Sequence, residues 1–333
     1  MKAGAGLVAL VAALAAAGCG GGSDGPLTIY SGREEELVAP LLQRFEDETG
    51  IDVEVRYGES AELAATIAEE GDNSPADVFF AQDPGSLGSV DAQLEQLPQG
   101  TLDRVDEGFR DDNGRWVGTS GRSRVLVYNT DEVPASELPA SVFELTDPKW
   151  KGRIGIAPTN ASFQAFVTAM RLSAGEERTR QWLKDLKEND PKTYEKNTPV
   201  VEAVASGEID VGLVNHYYLY LVKEEQPDAP IANHFFRSGD PGALVSVAGA
   251  GVLAGSDQKD DAERFVEYLL SDEGQRFYVD EAEEAEYPLI PGIEPKEGLP
   301  PLSQLQGPDV DLSSFGPELE RTVELLRETG YLS

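Results

Sequence analysis

From Leu27 onward, short runs of β-branched and aromatic residues alternate with stretches in which apolar positions recur every three or four residues. Leu27 to Tyr30 predicts a strand. Glu34 to Glu48 predicts a helix with Leu37, Leu41, Leu42 and Phe45 on one face and Gly50 at its end. Ile51 to Tyr57 alternates as a strand, Ala61 to Glu70 reads as a helix, and Asp77 to Ala81 reads as a short buried strand before a turn at Asp83-Pro84-Gly85. Further strands are predicted over Arg124 to Tyr128, Arg153 to Ala157, Val211 to Val214 and Leu244 to Val252. Helices are predicted around Phe163 to Leu172, Glu176 to Leu186, Pro199 to Ala205 and Asp260 to Leu270. The alternation predicts an α/β fold with largely parallel sheets, in which ligands sit beyond the carboxyl ends of strands.

Ahead of this region, Lys2 precedes an apolar, Ala-rich run from Leu7 to Ala17, then Gly18-Cys19 and the stretch Gly20 to Ser23. The run is shorter than the about 20 residues a spanning helix needs and has the layout of a secretory signal. Cys19 is the sole cysteine, so no disulfide can form within the chain. Its position resembles the lipidation site of bacterial lipoproteins, with Ala16 where Leu is usual. The expectation is a signal over 1–18, a lipid anchor on Cys19 with a tether over 19–26, and a protein held at the outer face of the cytoplasmic membrane.

Charge narrows the partners. The chain has 27 Lys and Arg against 61 Asp and Glu, a formal net charge of −34. That surplus excludes a phosphate-gripping nucleic-acid surface and argues against docking on anionic lipid by charge. Acidic runs such as Glu281 to Glu286 and Asp111-Asp112 lack the spacing of a calcium loop and are expected to be solvated.

Enzyme signatures are absent from Leu27 onward: there is no G-x-S-x-G elbow, no phosphate loop, no G-x-G-x-x-G and no H-E-x-x-H. With only His216 and His234 as histidines, a Ser-His or Cys-His nucleophile has little support. The feature that stands out is Asn215-His216-Tyr217-Tyr218-Leu219-Tyr220, directly after a predicted strand. Two adjacent phenols there can reach a cleft, and a bound ferric ion favours their deprotonated form although free Tyr titrates near ~10. His216 is expected to be solvated, and Tyr220, turned away from Tyr218 on a helix, to be core or surface.

The chain also carries, in order, Ile29-Tyr30-Ser31-Gly32, Ser74-Pro75-Ala76-Asp77-Val78-Phe79-Phe80 and Ser120-Gly121-Arg122-Ser123-Arg124. Pro148-Lys149-Trp150-Lys151-Gly152-Arg153-Ile154-Gly155, Asn215-His216-Tyr217-Tyr218, Asp240-Pro241-Gly242-Ala243-Leu244-Val245 and Glu286-Tyr287-Pro288-Leu289 follow. On these segments the chain resembles the ferric-ion-binding solute receptors of bacterial ABC transporters, whose fold is the two-lobed, type II periplasmic-binding-protein fold.

The resemblance implies a receptor rather than an enzyme. The family's paired tyrosine ligands fall on Tyr217 and Tyr218, its first-lobe His on Glu34, and its first-lobe Glu on Gln82, a neutral amide beside Asp83. A small anion such as carbonate or phosphate completes the family's metal site; the matching positions here are Arg122, Asn160, Ala161, Ser162, Asn197 and Asn215. It further implies lobe 1 over 27–120 with 243–300, lobe 2 over 121–242, a C-terminal helical segment over 301–333, and crossing strands near 118–124 and 238–246. The expected partners are a membrane permease and its ATPase, with the receptor itself a monomer. The alternative of the same fold is a receptor for a small organic anion or phosphonate, and a third reading is a secreted glycan hydrolase built on two carboxylates.

Overall fold

The computed structural model describes residues 25–281 and 285–333. The expected signal, Cys19 and most of the tether therefore lie outside the described residues. Nine strands are present among the described residues: β1 (Leu27–Ser31), β2 (Val53–Tyr57), β3 (Val78–Ala81), β4 (Val117–Asn129), β5 (Ile154–Ile156), β6 (Lys192–Thr193), β7 (Val211–Asn215), β8 (Ile231–His234) and β9 (Val245–Val252). The helices that shape the molecule are α1 (Glu35–Thr49), α2 (Ser60–Glu70), α3 (Pro84–Ser89), α4 (Ala161–Ala174), α5 (Glu176–Glu188), α6 (Asn197–Ala205), α7 (Tyr218–Glu225), α8 (Lys259–Leu269) and α9 (Phe315–Glu328).

The strands pair in the order β2-β1-β3-β9-β4-β7-β5-β6, with β8 on the free side of β4. The division into two lobes lies within β4. Its first part, Val117 to Ser123, pairs antiparallel with β9, whereas Arg124 to Tyr128 pairs with β7 and Leu126 to Asn129 with β8. Thus β4 and β9 are the crossing strands, and the second crossing begins at Val245, with a short 3₁₀ turn over Pro241–Ala243 before it. The sheets are mixed rather than largely parallel. β1, β2 and β3 are mutually parallel, as are β5, β6 and β7, but every pairing of β4 and β9 is antiparallel. Periodicity reports burial and not strand direction, so the sequence pattern could not separate these cases.

Each lobe closes on an apolar layer. In α1 the residues facing inward are Val38, Leu41, Leu42 and Phe45, with Leu37 at the margin, and Phe45 meets Phe265 of α8 edge-on at 5.1 Å. A second cluster joins Val125 and Val127 of β4, Val200 and Val204 of α6, and the rings of Tyr217 and Tyr218. The C-terminal helix α9 packs on both α3 and α4, so it touches both lobes. Its contact with α3 is backbone on backbone: a Cβ on Gly316 would stand 2.3 Å from the Gly88 carbonyl carbon. Among the described residues no helix is long and apolar enough to cross a membrane.

Candidate functional site

The two parallel triplets send their carboxyl ends toward one cleft of about 1070 Å³. From lobe 1 it is lined by Arg33 and Glu34 after β1, Tyr57 at the end of β2, and Gln82 after β3. From lobe 2 it is lined by Asn160 and Ala161 after β5, Lys196 after β6, and Tyr218 after β7.

On lobe 1, Gly32 lets β1 turn against α2, since a Cβ there would stand 1.9 Å from Ser60 Oγ. That hydroxyl accepts the Gln82 N–H at 3.0 Å and fixes the loop after β3. Glu34 precedes α1 and is exposed, with its carboxylate 3.9 Å from Lys196 Nζ on the opposite lobe. Tyr57 is half-buried; burial first, and then the Glu35 carboxylate, holds its hydroxyl above the ordinary phenol range. Asp83 is buried and caps α3, accepting from Ser86 N at 2.9 Å and Ser86 Oγ at 2.7 Å. The expected turn there is a helix start, and both Asp83 oxygens are occupied.

On lobe 2, the chain leaves β7 and enters α7 at the tyrosine pair. Tyr217 and Tyr218 stack with ring centroids 4.3 Å apart; Tyr218 reaches the cleft and Tyr217 lies behind it, 1% exposed. Asn160, Ser162 and Asn197 meet at the start of α4. Asn160 Oδ1 accepts from Ser162 N at 3.0 Å, Ser162 Oγ at 2.6 Å and Asn197 Nδ2 at 3.1 Å. Asn215 joins them through Arg124, whose Nη1 donates to Ser162 Oγ at 3.2 Å and to Asn215 Oδ1 at 3.4 Å. Asn215 Nδ2 and Asn197 Oδ1 are buried without a hydrogen-bond partner. Of the expected anion positions, the structure brings Asn160, Ala161, Ser162, Asn197 and Asn215 together.

Arg122 is placed otherwise. Its Nη2 lies 2.8 Å from Glu286, its Nη1 donates to Gln82 O at 2.9 Å, and its guanidinium sits 5.6 Å from the Tyr217 ring centre. Glu286 also receives Arg33 Nη1 at 3.1 Å and Nη2 at 3.2 Å, so a buried carboxylate joins a lobe 1 loop to β4. Solvation expected for the acidic runs is thereby corrected at Glu286, and at Asp111, whose Oδ2 accepts from Asn113 N and Arg115 N.

The cation beside Ser162 and Asn215 is Arg124. It is 1% exposed and forms no ion pair with a described carboxylate; burial holds it down to about 9, opposed by the fields of Tyr218 and Tyr217. It remains charged at neutral pH. Arg124 lies inside the run Ser120 to Arg124 that carries the family resemblance, and its two-residue spacing from Arg122 is the available signal. His216 is buried rather than solvated. Its Nδ1 accepts from Ser123 N at 3.1 Å and its Nε2 donates to Ala285 O at 3.1 Å, while desolvation holds it near 4. Tyr220 is half-buried at the surface of the second apolar cluster, as expected.

A family profile described as bacterial extracellular solute-binding protein matches residues 73–306. The chain belongs to the bacterial extracellular solute-binding proteins. It is 39% identical over 313 residues to the major ferric iron-binding protein of Neisseria meningitidis serogroup B, covering 91% of this chain and 92% of that one. It is similar to iron-bound HitA from Pseudomonas aeruginosa at 36% identity and TM-score 0.87, covering 92% of this chain and 99% of that structure. It is also similar to the Trichodesmium protein IdiA (FutA) in complex with iron and citrate, at 29% identity and TM-score 0.77, covering 92% and 100%. Such solute-binding proteins have two lobes about a ligand cleft, the architecture seen here.

Within this solute-binding protein, no group of three or more His, Cys, Asp or Glu among the described residues could hold a metal. The hard oxygen donors on the cleft wall are the phenols of Tyr57 and Tyr218 and carboxylates such as Glu34. Gln82 offers a neutral amide, and its backbone carbonyl is already taken by Arg122.

Proposed function

We propose that this receptor captures ferric iron between its lobes, with Tyr217 and Tyr218 as the principal ligands, and passes it to a membrane permease driven by an ATPase on other chains. The observation that carries the reading is the stacked pair at the end of β7 beside Arg124, a buried guanidinium with no carboxylate partner among the described residues. A buried, unmatched cation is costly. A small anion held by Arg124 and the loop of Asn160, Ala161, Ser162, Asn197 and Asn215 supplies the missing negative charge, while the phenolates formed on metal binding offset charge of the metal itself.

The steps then follow from the residues. The ferric ion displaces the phenol protons to solvent, and Tyr217 and Tyr218 bind it as anionic oxygens. The anion donates oxygens to the metal while accepting from Arg124, from the free amide of Asn215 and from the N–H groups at the start of α4. Glu34, standing after β1, joins when the lobes close, releasing Lys196. β4 and β9 provide the hinge. Lobe 1 in this reading comprises 27–120 with 243–300 and lobe 2 comprises 121–242, with 301–333 resting on both. Acylated Cys19 keeps the monomeric receptor at the membrane where the permease waits, and the cargo leaves chemically unchanged.

The test is retention. The receptor is mixed with ferric iron from a weak chelate plus bicarbonate, desalted and assayed for metal. One equivalent of iron on the folded protein is expected; none retained would end this reading and return the cleft to a small organic anion or phosphonate.

A further inference from the structure

If iron is the cargo, lobe 1 reaches the cleft short of a ligand. Gln82 replaces a carboxylate with an amide, and Glu34 is the one anionic residue among the positions implied for this lobe. Two phenols line the cleft among the described residues, and one of them is on lobe 1: Tyr57 faces the same space as Tyr218.

Tyr57 is well placed for a role that the sequence pattern did not single out. It is the last residue of β2 and pairs in register with Ser31 of β1, three residues before Glu34. Its ring packs on the lobe 1 apolar core, which fixes its direction, and its hydroxyl makes no hydrogen bond to a described residue. A phenol held by its ring and left without a hydrogen-bond partner on the wall of a polar cleft has an oxygen to offer.

We infer that Tyr57 is a second lobe 1 iron ligand, beside Glu34, that stands in for the residue lost at Gln82. This rests on the ferric reading above. On closure the Tyr57 O–H bond breaks, its proton goes to solvent, and its oxygen binds the ferric ion already held by Tyr217 and Tyr218. The three phenolates join Glu34 and the anion as oxygen donors to the metal, and no electron is transferred. The cleft selects a trivalent, oxygen-seeking cation over divalent ones through this donor set.

The experiment compares the full receptor with Tyr57→Phe, loading both with ferric iron from a weak chelate and reading the visible phenolate-to-iron band per bound iron and the affinity by citrate competition. Tyr57→Phe is expected to keep one iron but lose about one third of the band intensity, one phenolate in three, with affinity lowered ~10-fold or more. Unchanged intensity per iron and affinity within about twofold would overturn the assignment of Tyr57 while leaving the iron reading intact. Absence of the band from the unaltered receptor would instead remove the iron reading and this inference with it. Because the Tyr57 hydroxyl makes no hydrogen bond to a described residue, the metal-free variant is expected to melt with the unaltered protein, which separates ligand loss from misfolding.

Discussion

Glu286→Ala probes the buried join between the lobe 1 loop and β4. The carboxylate is fully buried and takes both terminal nitrogens of Arg33, at 3.1 and 3.2 Å, and Nη2 of Arg122 at 2.8 Å. Both guanidiniums are 2% exposed, so removing the carboxylate deprives two desolvated cations of a shared counter-charge. Breaking a buried pair in this way costs about 3–5 kcal/mol. For a chain of this size that corresponds to a melting-temperature loss of roughly 4–7 °C. The assay is urea denaturation of the metal-free receptor, with thermal melting as a second readout. Lys196→Ala is the internal control: its pair with Glu34 is exposed on both sides and 3.9 Å apart, so its loss is expected to cost less than about 1 kcal/mol. A Glu286→Ala loss no greater than the control would refute the argument that this triad holds the lobe 1 loop to β4.

Three further outcomes are expected. His216 is held near 4 against an ordinary 6.5, so the unfolded chain binds a proton that the fold refuses between those values. Stability is therefore full above about pH 6.5 and falls by up to about 3 kcal/mol as the pH drops toward 4; denaturation midpoints across that window should flatten in His216→Gln. Gly316→Ala would place a Cβ 2.3 Å from Gly88 and is expected to destabilise by about 1–3 kcal/mol, opposite in sign to the usual helical preference for Ala, as read by thermal melting. Arg124→Met is expected to weaken anion-dependent iron loading ~10- to 100-fold and to blunt its response to added bicarbonate, the worth of a charge-assisted hydrogen bond or two.

Much of the scaffold was legible because each lobe buries one face of each helix. The α1 pattern marks its inner face, and the strand runs starting at Leu27, Ile51, Asp77 and Val211 fall within a few residues of the observed bounds. Strand direction was not legible: β4 is buried along nearly its whole length and serves two sheets, which no alternation records. The tyrosine pair could be singled out because residues that follow strands in an α/β fold converge, whereas the Asn160 loop could be named only through the family resemblance. Arg124 and Glu286 could not be given roles. Whether a charged side chain faces solvent or a buried partner across 164 positions, as from Arg122 to Glu286, depends on tertiary packing. In the same way, the cleft position of Tyr57 depends on β2 lying next to β1.

The central claim is that iron is held by the tyrosine pair, and a ferric titration followed in the visible range tests it most directly. With bicarbonate present, the account predicts a phenolate-to-iron band that saturates at one equivalent and collapses in both Tyr217→Phe and Tyr218→Phe, each still folded by circular dichroism. A folded receptor that shows no band, or a band that survives in both variants, would contradict it.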